Sequence, residues 1–219
     1  RSGWAGSPAG RRAPDHAESQ SRARADAVAT AVATHMHAYE DTVRAAAAVL
    51  EGRQDIDQDS FHAFVEKLQM PARQMGVHGL GFARHVPAAQ RESYLAAQRA
   101  RYGGTFAIQP AGNRAEYVVV DLLYPDAPGM RPLLGKDVMA EPVRRRAVEQ
   151  ARDTGELAAA PLVALGDASR GNTGMPGFLL YVPVYAEPLD GSASVAQRRE
   201  RLRGFATAGF GWQKVVEEA

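Results

Sequence analysis

An α+β fold built on an antiparallel sheet is what this sequence predicts, and three observations carry that expectation. A run from Asp15 to about Glu51 holds neither Gly nor Pro, is rich in Ala, and repeats its apolar residues at helical spacing. Beyond it lie six short segments with the β-branched, aromatic or alternating character of strands. Those strands outnumber the helices between them, whereas a doubly wound parallel sheet requires strand and helix to alternate.

Each element has its own local signal. In the first helix, Val28, Val32, Met36, Tyr39, Val43, Ala46 and Leu50 form one stripe, on a helix of roughly 35 residues and about 50 Å. That length outreaches a small domain, so the stripe packs either wholly on its own chain or partly on a second copy as a stalk. Gly52 closes it, and Asp57 or Asp59 caps a shorter helix through Phe61, Phe64, Val65 and Leu68 before Pro71. Val77 to Val86 reads as a strand. Pro87 then opens a helix to Arg101 that Gly103-Gly104 ends. Thr105 to Gln109 is expected as a short strand, and Glu116 to Tyr124 (EYVVVDLLY) is the strongest one. A helix over Pro142 to Thr154 is capped by Gly155. Strands at Ala158 to Leu165, Gly177 to Ala186 and Gly204 to Trp212 complete the pattern, with a short helix near Ser194 to Arg201. The glycine-rich Gly166 to Gly177 is either a lid over a pocket or a long hairpin connection.

Composition narrows the chemistry. The 219 residues are 45% hydrophobic and 23% charged, enough for a core in one domain or two of roughly 100 residues. With 26 Lys+Arg against 25 Asp+Glu, no net field draws the chain to nucleic acid. The absence of cysteine removes thiol nucleophiles, disulfides and Cys-ligated metals. No apolar run reaches the ~18 residues of a membrane span. The chain starts at Arg1 rather than Met, which reads as a piece of a longer protein.

Catalytic and metal motifs are absent from the sequence: there is no HExxH, EF-hand loop, GxSxG or P-loop, and Gly79-Leu80-Gly81 is half a dinucleotide fingerprint at best. His35 and His37 stand about 200° apart on a helix and cannot share an ion. No metal, cofactor or catalytic residue is expected. Arg144-Arg145-Arg146 falls early in a helix, where the macrodipole disfavours cations. Arg145 paired with Glu149 is one compensation, and an anion site is the functional alternative.

The order of motifs from Glu116 to Arg203-Gly204-Phe205 resembles one family. It runs through Glu116-Tyr117, Tyr124-Pro125, Leu134-Gly135-Lys136-Asp137, Pro142-Val143-Arg144-Arg145, Ala151-Arg152-Asp153-Thr154-Gly155, and Phe178 to Tyr185 (FLLYVPVY). Weaker matches upstream include Phe61, Pro71, Gly79 to Phe82, Val86 and Arg91. This is similar to the CHASE domain, the sensing ectodomain of cytokinin-receptor-like histidine kinases and of bacterial cyclic-di-GMP enzymes.

The resemblance implies a flexible lead-in (1–14), a long stalk helix (15–56), a membrane-distal PAS-like ligand-binding subdomain (57–190), and a strand and helix (191–219) completing a second, membrane-proximal PAS-like sheet. It further implies flanking transmembrane helices, a periplasmic location, a homodimer through the stalk, and a small-molecule ligand of purine or cytokinin type or another class. The acid that anchors adenine in plant members falls at Ala115 and their strand threonine at Ala159, so both polar anchors are methyl groups here. Period-2 alternation puts Ala115, Tyr117, Val119 and Asp121 on one face, and the family's anchor position marks that face as the pocket. Leu134, Pro161, Leu180 and Val182 are expected to line it too. The alternative is a filled core in which Asp121 caps a turn.

Overall fold

The computed structural model describes residues 12–51, 53, 56–67, 77–126, 130–165 and 175–212. Helix α1 (Arg12–Glu51) is 40 residues long and starts three residues earlier than the sequence pattern suggests. Pro14 lies within its first turn, where a missing N–H costs nothing. The rest of the predicted lead-in lies outside the described residues, as do Gly52 and Pro71.

After α2 (Gln58–Lys67) come β1 (Val77–Pro87), α3 (Arg91–Tyr102), β2 (Glu116–Tyr124), α4 (Pro142–Thr154), β3 (Ala158–Leu165), β4 (Met175–Tyr185), α5 (Val195–Arg201) and β5 (Leu202–Gly211). The strands form one antiparallel sheet in the order β2-β1-β5-β4-β3. The expected second sheet is therefore corrected: among the described residues there is one. Strand β5, expected to complete a separate membrane-proximal unit, instead occupies the centre and pairs with both β1 and β4. Its near-continuous burial marks a central strand, because both faces are covered.

Thr105 to Gln109 is not a strand. Gln109 makes a single bridge to Lys136, and the apolar Phe106 and Ile108 are buried against α3 rather than by sheet pairing. The glycine-rich segment joins antiparallel neighbours, since Leu165 pairs with Met175, but 166–174 lie outside the described residues.

Two faces organise the core. On one, α1 and α2 pack on the lower sheet through Tyr39, Val43, Leu50 and Phe61 against Phe82, Leu180 and Phe210. On the same face, α3 covers the upper end around Val86, Tyr117 and Val119. The opposite face is covered by α4 and by 130–140, which leads into it. Tyr39 stacks on Phe210 with ring centroids 4.0 Å apart, and Phe210 on Phe178 at 5.1 Å, so α1 is clamped to the two strands at the sheet centre. Described side chains of α1 before His35 are all exposed.

A charged network ties the upper edge together. Glu116 accepts from Arg152 at 2.9 Å and lies 2.8 Å from His85, while Asp153 binds Arg152 at 2.8 Å and Arg199 of α5 at 2.6 Å. The hydrogen bond from His85 lowers the pKa of Glu116, and that from Arg199 lowers the pKa of Asp153. Depressed carboxyls stabilise the fold above their unfolded values of 4.5 and 3.8, and that contribution is lost as pH falls through the folded values. The unfolding midpoint is expected to fall on acidification below about pH 4. Asp153→Asn should flatten that slope; an unchanged slope would assign the acid sensitivity elsewhere.

Candidate ligand cavity

The nine residues singled out from the sequence do not line a cavity together. Tyr117, Val119 and Asp121 do share a face, and Leu180 and Val182 lie on that same face, but helices fill it. Tyr117 is 1% exposed, and its hydroxyl donates to the Gly112 carbonyl at 2.9 Å and accepts from Arg114 N at 3.0 Å. Val119 is buried under α3. Asp121 is fully buried, binds Arg84 Nε at 2.6 Å and lies 3.4 Å from the Tyr94 hydroxyl.

Leu180 and Val182 pack beneath α1. Ala159 and Pro161 are exposed on edge strand β3, Ala115 is exposed ahead of β2, and Leu134 is half-buried between the α3 and α4 cores. Alternation thus groups the strand residues correctly but cannot tell which face keeps a space. The difference comes from α1, α2 and α3 all packing on the marked face, which three helices crowd.

The cavity is on the other face, between the sheet and the segment 130–144. Its volume is about 60 Å³. Two rows of residues across adjacent strands make its floor: Gly81, Thr207 and Tyr181 are register partners in one, and Gly79, Gly209 and Leu179 in the next. Its other walls include Val120, Leu123, Met130, Val138, Lys136 and Arg144. The glycines create this space locally. A Cβ on Gly79 would come within 2.6 Å of Met130 Cε, and one on Gly209 within 3.2 Å of Leu165 Cδ2.

The wall is held by Asp137. This 1% exposed carboxylate accepts from Val118 N at 3.0 Å and Met139 N at 3.1 Å, and Arg114 lies 3.4 Å away. Gly135 N donates to Val120 O and Val120 N to Lys136 O, both at 2.9 Å, so 135–137 continues the sheet along β2. Gly135 is required there: its φ is +84°, and a Cβ would meet the Ala107 carbonyl oxygen at 2.4 Å.

The polar lining is unevenly satisfied. The Tyr181 hydroxyl and Thr207 Oγ1, on residues 0% and 8% exposed, have no hydrogen-bond partner among the described residues. Burial raises the pKa of Tyr181, so its proton stays on. Arg144, 8% exposed, lies 3.8 Å from Glu141, whose carboxylate caps α4 by accepting from Val143 N and Arg144 N at 2.9 Å each. Of the arginine triplet, Arg144 therefore reaches the cavity, while Arg145 Nε donates to the Met139 carbonyl at 2.7 Å. His78 is half-buried with its pKa lowered by burial, so it is neutral near pH 7.

An unpaired buried hydroxyl costs stability. Tyr181→Phe is accordingly expected to leave the fold intact and raise its stability by about 1 kcal/mol in thermal unfolding. A large loss would mean that the hydroxyl has a structural partner.

Among the described residues, no three metal-ligating side chains cluster, and no helix is long and apolar enough to cross a membrane. His62 Nε2 contacts the Leu123 carbonyl at 3.0 Å, docking α2 on β2. Sequence reasoning missed Tyr181, Thr207 and the strand glycines as a group. The only available signal was that Gly79, Gly81, Thr207 and Gly209 interrupt otherwise apolar strands.

Compared with curated individual proteins, the sequence has no significant match. Compared with protein families, it matches the CHASE domain over residues 54–219. That span holds the whole sheet, the segment 130–140 and α4, and so every residue of the cavity. The chain belongs to the CHASE-domain family, extracellular sensor domains of signalling receptors.

Proposed function

We propose that this chain is the periplasmic ligand-sensing part of a bacterial transmembrane receptor, and that a small molecule binds in the cavity between the sheet and α4. Such binding would be relayed to a cytoplasmic histidine kinase or cyclic-di-GMP output domain, with no catalysis in this segment. The observation that carries the reading is the cavity itself, with two unpaired buried hydroxyls in a mainly apolar lining that also includes His78, Lys136 and Arg144.

Strand β5 supplies a route for the relay. Thr207 and Gly209 face the cavity, while Ala206, Ala208 and Phe210 face α1, so a ligand that moves β5 acts on the helix through the Tyr39–Phe210 stack. A homodimer through α1, whose described side chains before His35 are exposed, fits this reading. Sedimentation across a concentration series checks it, and a monomer throughout would remove the dimer from the isolated chain.

A thermal-unfolding screen against adenine cytokinins, other purines, amino acids, small aromatic acids and short fatty acids tests the binding. A ligand at 100 times its dissociation constant adds about 2.7 kcal/mol, a midpoint rise of roughly 5–10 °C. A rise with one class supports sensing. No rise with any class favours a dimerisation or spacer ectodomain, which the 40-residue length of α1 would serve.

A further inference from the structure

We propose that the ligand of this cavity is a small uncharged aliphatic molecule bearing one acceptor oxygen, a short-chain ketone or alcohol, held by a hydrogen bond from Tyr181 or Thr207. The proposal rests on the reading of the cavity as the ligand site and adds the chemistry of its occupant.

The first observation is the state of the two hydroxyls. Leu180 and Val182 of β4 and Ala206 and Ala208 of β5 pack toward α1, so alternation turns Tyr181 and Thr207 to the opposite face, where both line the cavity. Each is more than nine-tenths buried, and neither hydroxyl has a hydrogen-bond partner among the described residues. A buried hydroxyl without a partner is costly, and a ligand that brings an acceptor to either one removes that cost. Burial keeps the proton on Tyr181, so its hydroxyl remains a donor near pH 7.

The second observation is the charge of the lining. Its two cations are already engaged: Arg144 lies 3.8 Å from the Glu141 carboxylate, and Arg144 and Lys136 each have another interaction within the chain. An anionic ligand would have to compete for them while losing its own hydration. A cationic ligand would meet no carboxylate, since no Asp or Glu is among the described lining residues. A neutral oxygen avoids both penalties, because an unpaired charge costs far more to bury than a hydrogen-bonded polar group.

The third observation is the space left for the rest of the molecule. Leu123, Met130, Val138, Leu165 and Leu179 make most of the lining aliphatic. At about 60 Å³ the cavity is well below the roughly 150 Å³ of an engineered cavity that holds benzene. In this conformation the occupant has fewer heavy atoms than benzene, as acetone and 2-propanol do.

The test is an NMR titration of the chain with acetone and 2-propanol, and with two ions of similar size, acetate and isopropylammonium, at matched ionic strength. Saturable binding of at least one neutral compound is expected, about tenfold or more tighter than either ion. The amide signals of Gly79, Gly81 and Gly209, which line the cavity, should shift most. Tyr181→Phe, Thr207→Val or both should weaken the binding roughly fivefold, the loss of one neutral hydrogen bond, with unfolding curves showing which variants are folded.

Ions that bind as well as the neutral compounds, shifts centred away from the three glycines, or an affinity unmoved in every variant that folds would overturn the assignment. So would the absence of binding by all four compounds. In that last case, stabilisation by another class in the wider screen keeps ligand sensing and removes only this chemistry. No stabilisation by any class removes both.

Discussion

Phe210→Ala is expected to destabilise the domain by about 3–5 kcal/mol, the usual cost of emptying a buried aromatic site. Phe210 is fully buried and stacks with Tyr39 of α1 at 4.0 Å and with Phe178 of β4 at 5.1 Å. Rigid strands cannot close over the void, because Ala206 and Ala208 beside it are already small. In thermal unfolding the midpoint should fall by roughly 10 °C. Phe210 also joins α1 to the strand that floors the cavity, so the variant should lose coupling between ligand and helix. Hydrogen exchange reads this: faster exchange in α1 with slow exchange kept in β1 and β2 is expected. Uniform loss of protection would mean that α1 and the sheet unfold as one unit.

Asp137→Ala is expected to cost about 2–5 kcal/mol, since it strips two buried backbone donors, Val118 N and Met139 N, of their acceptor. The damage should localise to the wall segment 130–140, with ligand stabilisation lost alongside. Asp137→Asn keeps an acceptor oxygen for both donors and should cost much less. Burial raises the pKa of Asp137, so its titration favours the folded state as pH falls through the raised value, opposite in sign to Glu116 and Asp153. In the Asn variant that opposing term is gone, and the acid decline of the midpoint should begin at higher pH than in the unmodified chain. Equal losses for the Ala and Asn variants would show that the charge of Asp137, not its acceptor geometry, holds the wall.

The class of fold was legible in short-range pattern. Glu116 to Tyr124 reads as a strand from its own composition, and β2 has those bounds. Gly155, in a left-handed conformation with φ +79°, ends α4 where a C-cap glycine was expected. Such features are local, set by a few neighbouring residues and their backbone preferences. Thr105 to Gln109 failed for the same reason: a five-residue apolar pattern does not say whether its partner is a strand or a helix.

The candidate site was legible only in part. Asp121 was singled out as a polar group in an apolar strand, and it is indeed buried. Its partner Arg84, however, lies on the neighbouring strand, 37 positions away in sequence. Arg144 was noticed because a cation early in a helix needs compensation. That it points to a cavity depended on how α4 crosses the sheet.

By itself, then, the sequence determined the α+β class, most of the helix and strand positions, the lack of thiol chemistry and the resemblance that the CHASE match established. Tertiary structure alone decided that, among the described residues, one sheet forms rather than two, with β5 at its centre, and that the helices fill the face bearing Tyr117 and Asp121. It also decided that the space lies behind that face, over Tyr181 and Thr207. Periodicity divides a strand into two faces. Which face keeps a cavity depends on the volume that distant helices bring to each, and on where glycines on separate strands fall into register.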